Sequence, residues 1–311
     1  GSATRLSGLM GNPNAMGAML ALGWFALQSC LREENGPALE RFLRGLEFIT
    51  LTALALTLSL GAFGALGIGV LVMHFYGKEC FSSLLCRLAE MIFAGGCGIL
   101  LYIAGNATNW PWLCLILCGY ILIGAWYRGQ FERELSDGKW AKLLICLTGA
   151  LGAGVVAFLR PNAAATFAER LAMIRNGLGY LGVDPLLGVG PYQWRRLNLQ
   201  DADTYFNTWH IHNVFVHVGV ELGLIAMAML VIAVVRHFRK REDPAQRGAF
   251  SAALVHNLMD TSFFYMATVP FLIMTAGDDE GKKRRLSGTT VKCMFSVFAV
   301  LFAWNMVQIF W

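Results

Sequence analysis

The sequence predicts an all-α integral membrane protein of about eight to ten transmembrane helices with one large non-cytoplasmic loop, and three observations lead there. Hydrophobic residues make up 56% of the 311 residues against 14% charged, with a mean hydropathy of +0.54, which leaves too little polar surface to coat a water-soluble globule. Apolar runs long enough to cross about 30 Å of hydrocarbon, roughly 20 residues at about 1.5 Å each, recur along the whole chain. Most of the 25 lysines and arginines fall in alternate loops, as expected when positive charge is retained on the cytoplasmic side.

Taken in order, spans are expected near residues 13–31, 46–60, 62–76, 89–105, 111–127, 141–159 and 211–235, followed by 248–259, 263–276 and 289–311. The continuous apolar stretch 48–75 is divided in two. So is 250–276, which carries His256, Asn257 and Asp260 at its middle; the division keeps Lys282, Lys283, Arg284 and Arg285 on the same side as the other basic loops. With the amino terminus outside, the basic clusters around Arg41, Arg128, Arg239 and Lys282 face the cytoplasm and the polar loop 160–210 lies on the other side. Four regions result: amino-terminal transmembrane helices (1–159), the outer loop (160–210), a second helical group (211–277), and a basic loop with a final helix (278–311).

Several functions are excluded at this level. The net charge of +5 is mostly loop charge facing anionic lipid and implies no nucleic-acid partner. None of the eight cysteines lies in the outer loop, so neither a disulfide framework nor a metal centre is implied, and Cys114 and Cys118 read as small helix-facing residues. The opening Gly1-Ser2-Ala3-Thr4-Arg5 lacks the pattern of a cleavable signal peptide. Phosphate-binding loops and dinucleotide fingerprints are absent, and glycine-rich stretches such as 61–69 read as close-packing helix faces.

Polar residues gathered despite the cost of lipid mark where chemistry is expected. Three clusters qualify: Arg5 to Gly8 with Asn12-Pro13-Asn14; Glu169 to Arg175, leading on to Gly188-Val189-Gly190-Pro191-Tyr192; and His210-Ile211-His212-Asn213 with His217 and Glu221 deeper in the next helix. His210, His217 and Glu221 fall roughly on one helix face, but not at the spacing of a zinc hydrolase, and no metal is expected.

In order and spacing, these segments resemble the O-antigen ligase and O-antigen polymerase family. The resemblance rests on Arg5-Leu-Ser-Gly, Asn12-Pro-Asn14, Arg170 ahead of a short helix, Pro185-Leu-Leu-Gly-Val-Gly-Pro191, His212-Asn213 with Glu221-Leu-Gly223, and the polar break His256-Asn257-Leu-Met-Asp260. It implies a multi-spanning helical enzyme that takes a glycan from a polyprenyl pyrophosphate carrier on the outer face of the bacterial inner membrane. The acceptor is a lipid A core, a glycan end or a protein hydroxyl, and no metal, cofactor or nucleotide sugar takes part. By position, the resemblance implies His212 and Arg170 as catalytic, with Arg5, Arg175, Gly188, Gly190, Asn213 and Glu221 binding substrate. Where the family commonly carries Ser-Arg-Gly the chain reads Ser59-Leu60-Gly61, and Arg5 is the expected substitute. The family also begins with a few more spans ahead of the position matched by Arg5, which implies a fragment or a shortened member.

Elementary chemistry points the same way. A pyrophosphate leaving group needs its developing charge met, and arginine offers planar, permanently charged donors for it. A histidine at the membrane surface accepts a hydroxyl proton near neutral pH. Two rival expectations stand beside this one: a transporter with an ion path through Glu90, Glu221, His256 and Asp260, and a non-catalytic member of the same family.

Overall fold

The computed structural model describes residues 5–33, 35–107, 162–200 and 206–265, with single positions at 119, 147, 149, 151, 152, 154 and 293. The chain divides into two units, Gly1–Ala276 and Gly277–Trp311; the second lies outside the described residues except for Cys293. The expected spans 111–127, 141–159 and 289–311, and nearly all of 263–276, likewise fall outside them, apart from the single positions.

The described residues form eight α-helices and no strand: α1 (Pro13–Arg32), α2 (Pro37–Leu56), α3 (Leu60–Gly77), α4 (Phe81–Ala107), α5 (Ala163–Leu181), α6 (Gln193–Gln200), α7 (Val214–Lys240) and α8 (Pro244–His256). Four are long and apolar enough to cross a membrane: α1, α3, α4 over Phe81–Ile103, and α7. Local chemistry sets the starts. Asn12 accepts from the N–H groups of Asn14 and Ala15, Asp243 accepts from Ala245, and each precedes a proline whose missing N–H costs a first helical turn nothing.

The division of 48–75 is visible as a turn. After α2 the chain passes Leu58 at φ 46°, and Ser59 caps α3 by accepting from Ala62. Three sequence expectations are corrected. The run expected to start at 211 becomes helical only at Val214, because the Asn213 side chain accepts from Val216 N–H and caps α7 there. That leaves His210 and His212 ahead of the helix. The expected span 248–259 is the 13-residue α8, about 20 Å long, too short to cross. Arg170, expected ahead of a short helix, sits within the 19-residue α5, whose alanines, leucines and methionine favour helix throughout.

The core of the helical group lies between α1, α2, α3, α4 and α8, with Trp24, Phe25, Leu54, Val70 and Met73 fully enclosed. The α3 and α8 backbones nearly touch: a Cβ on Gly69 would stand 2.6 Å from the Gly248 carbonyl oxygen, and one on Gly248 2.7 Å from that of Gly69. Such backbone approach is how helices associate where lipid removes the hydrophobic drive between them. A second, smaller core of Met173, Trp194, Ile211 and Val220 packs α5 and α6 onto the head of α7.

About a third of the way along its length α7 breaks. Gly223 takes φ 85° and ψ 171°, and the loop after α5 docks into the gap. Val189 and Gly190 donate to the carbonyls of Val220 and Glu221 at 2.8 and 3.0 Å, and Leu224 N–H donates to Pro185 C=O at 2.8 Å. Every group named here is backbone. Only glycine fits, since a Cβ on Gly223 would lie 1.9 Å from the Leu186 carbonyl oxygen.

Candidate functional site

The head of α7 and the tail of α8 are tied together, and their junction gathers the polar residues. Val214 N–H donates to Asn257 C=O at 2.9 Å, and Asn213 Nδ2 donates to Leu258 C=O at 3.2 Å. Asn257, fully buried, donates through Nδ2 to Ala253 C=O and to Ser262 Oγ, and its Oδ1 accepts from Phe263 N–H. This amide stitches the turn that ends α8 and presents Asp260. Across from it, α5 delivers Arg170, whose Nη2 donates to Asp260 Oδ2 at 2.8 Å with both side chains largely buried. His256, at 2% exposure, hydrogen-bonds through Nδ1 with Ser262 Oγ at 3.0 Å and lies within the fields of Asp260 and Arg170.

His212 joins the same group. Burial pushes its imidazole below the ordinary histidine value and the Arg170 cation pushes the same way, against the opposing carboxylates of Asp260 and Glu169. Its neighbour bears on its tautomer. With the Thr208 hydroxyl donating to His210 C=O at 3.1 Å, the 3.5 Å contact with His212 is consistent with Nε2–H as the donor. That tautomer leaves the Nδ1 lone pair as the basic position. His212 Nδ1 and Arg170 Nε are both buried without a hydrogen-bond partner among the described residues, as is His256 Nε2. Other buried side-chain atoms share that condition elsewhere among the described residues, such as Trp24 Nε1 and Thr52 Oγ1, but these three belong to one group around Asp260.

Arg5 lies at the α2–α3 turn. Its Nε donates to Thr57 C=O at 2.7 Å and its Nη2 to Asn14 Oδ1 at 2.8 Å, so a guanidinium occupies the turn that Leu60 follows. Two observations lie between the turn and the Arg170 group. Asn12 Nδ2 donates to Tyr265 Oη at 2.7 Å, and a Cβ on Gly61 would stand 3.7 Å from His256 Nε2.

The remaining expected residues have other surroundings. Gly188 donates its N–H to Asp184 C=O and Gly190 to Glu221 C=O, in the loop that closes the α7 break. Asn213 caps α7. Glu221 turns its carboxylate toward His217 Nε2 at 3.6 Å and toward the N–H groups of Tyr192 and Trp194 at the start of α6. Arg175 is exposed on α5, away from the buried group. His210 stacks on Phe264 with ring centroids 4.0 Å apart and meets His217 Nε2 through Nδ1 at 3.3 Å; burial, and then His212, push its imidazole below the ordinary value. Among the described residues no three His, Cys, Asp or Glu side chains are placed to share a metal ion.

Of the residues named for an ion path, Asp260 is taken by Arg170 and Glu221 lies in a separate group with His217, while Glu90 lies on α4. Asp260 as the partner of Arg170 was not foreseen. Its signal in the sequence is an acidic residue in the polar break His256 to Asp260 of an apolar run. No family model, characterised protein or solved structure matches the chain.

Proposed function

We propose that the protein transfers a glycan from a polyprenyl pyrophosphate carrier to an acceptor hydroxyl on the non-cytoplasmic face of a bacterial inner membrane, in the assembly of cell-surface polysaccharide. The observation that carries this reading is a half-buried neutral imidazole, His212, within the field of the largely buried Arg170 guanidinium, each keeping a buried polar nitrogen without a hydrogen-bond partner among the described residues.

In the proposed reaction His212 Nδ1 takes the proton of the acceptor hydroxyl as its oxygen attacks the anomeric carbon of the glycan. The bond from that carbon to the pyrophosphate oxygen breaks, and its electron pair leaves with the polyprenyl pyrophosphate. Arg170, oriented by Asp260, meets the charge that develops there, and Arg5 supplies a second cation. Arginine serves because its charge persists at any working pH and its donors match phosphate geometry. The acceptor is a lipid A core, a glycan end or a protein hydroxyl.

The test supplies purified protein, in the presence of a chelator, with a labelled lipid-linked oligosaccharide and a panel of acceptors. Transfer with release of polyprenyl pyrophosphate is expected. Turnover only on adding a divalent cation would overturn the arginine mechanism, and ion flux without transfer would favour the transporter. Because burial lowers the His212 pKa, the imidazole stays neutral and competent below its ordinary value of 6.5. The transfer rate is therefore expected to hold through pH 6.5 and fall only on further acidification. A fall centred above 6.5 would contradict the assignment of the base.

A further inference from the structure

We propose that the turn at residues 183–187 is a wedge immersed in the membrane leaflet beside the outer loop, with lipid acyl chains as its surroundings. The inference rests on α7 crossing the membrane and not on the transfer reaction.

Depth is the first argument. On α7 the stretch from Leu222 to Val235 contains no ionisable residue, and Arg236, His237, Arg239 and Lys240 follow it. Counting back from Arg236, about 20 residues at about 1.5 Å each span the hydrocarbon and reach roughly residue 216. The break at Gly223 therefore falls inside the hydrocarbon, in the leaflet on the loop's side. Whatever fills that break is at membrane depth, and the filler is the 185–190 loop.

Most N–H groups of the loop are met within the protein, as that setting requires. Non-helical backbone survives in hydrocarbon only when its polar groups are met by protein. Here Val183 N–H donates to Tyr180 C=O, Gly188 N–H to Asp184 C=O and Leu187 N–H to Asp184 Oδ1, while the α7 break meets Val189, Gly190 and the Pro185 carbonyl. Pro185 has no N–H to satisfy. The side chains at the tip point the other way: Val183, Leu186 and Leu187 are 74%, 60% and 71% exposed. The Leu186–Leu187 backbone lies against Gly223, whose neighbours Leu222, Leu224 and Ile225 on α7 are themselves exposed. In water such a tip would present a needless apolar patch, whereas in lipid it extends a surface already there. Asp184, the ionisable residue of the turn, is half-buried and holds its oxygen on Leu187 N–H.

The test uses the full chain with native cysteines removed, reconstituted in lipid nanodiscs and carrying one environment-sensitive fluorophore at Leu187→Cys. Leu199→Cys on α6 serves as the reference outside the proposed wedge and Ile232→Cys on α7 as the lipid reference. Quenching by nitroxide-bearing phospholipid is expected to be at least severalfold stronger at Leu187→Cys than at Leu199→Cys and close to that at Ile232→Cys, with iodide ineffective. Iodide quenching equal to that at Leu199→Cys would place the tip in water and overturn the proposal. Shielding from both quenchers would mean that a second copy or another protein segment covers it, and would overturn it equally. Val183→Cys and Leu186→Cys give independent positions on the same turn should the first variant fail to fold.

Discussion

At residues 57–59 and at Gly223 the helical backbone is interrupted, and the two interruptions are closed by different means. At the first, Leu6 N–H donates to Leu56 C=O and the Arg5 guanidinium sits on Thr57 C=O. At the second, Val189, Gly190 and Pro185 meet the freed groups with neutral backbone. Neutral closure shows that a break in this fold does not need a cation. The first break carries a permanent cation and the second does not, and the proposed role of Arg5 rests on that contrast.

The sharpest way to break this contrast is Gly223→Ala. The positive φ alone costs a non-glycine residue about 1–3 kcal/mol, and the new Cβ would collide with the Leu186 carbonyl, so the docked loop must leave. The expected outcome is a large fall in the unfolding midpoint in detergent, followed by tryptophan fluorescence. An unchanged midpoint would mean that the loop does not hold α7 together. Arg5→Ala is expected to act in the opposite sense, cutting transfer by about a hundredfold as loss of a transition-state charge partner does, with a smaller effect on the midpoint. Adding Leu60→Arg to that variant restores part of the rate if the two positions serve one turn. A silent Arg5→Ala together with a gain from Leu60→Arg alone would remove Arg5 from the site. Arg195→Ala should matter least. Its Nη1 bond to Thr208 C=O at 2.8 Å steadies the loop behind His212, and losing about 1 kcal/mol there slows transfer by roughly fivefold.

The two breaks also differ in how far the sequence announced them. The run 48–75 was expected to divide in two, and the polar residues Thr57 and Ser59 lie where the chain turns. The Gly223 break left no local trace, because a glycine in Leu222 to Val235 reads as one more small residue of a spanning helix. Its partner is the loop at 185–190, a pairing across the chain that periodicity does not encode. His212, Arg170 and Arg5 enter the proposed site through the family resemblance and their positions in the polar clusters. The acidic partner of Arg170 was seen only as a polar interruption, since a hydropathy window records the cost of Asp260 without saying which cation offsets it. Boundary errors came from the same source: the window admitted Ile211 and His212 to the span, whereas Asn213 starts the helix through one hydrogen bond to Val216 N–H.

His212 is where the central claim is most exposed to a single measurement. Its side chain contacts Thr208 Oγ at 3.5 Å and its Nδ1 is unpartnered, so His212→Ala removes little that holds the fold. The measurement is the rate of glycan transfer from a labelled polyprenyl pyrophosphate donor by His212→Ala, compared with the unaltered protein at matched unfolding midpoints. The account predicts a loss of about a hundredfold or more with the midpoint little changed. Transfer at the unaltered rate would contradict it, and the half-buried imidazole beside Arg170 and Asp260 would then have no part in the chemistry.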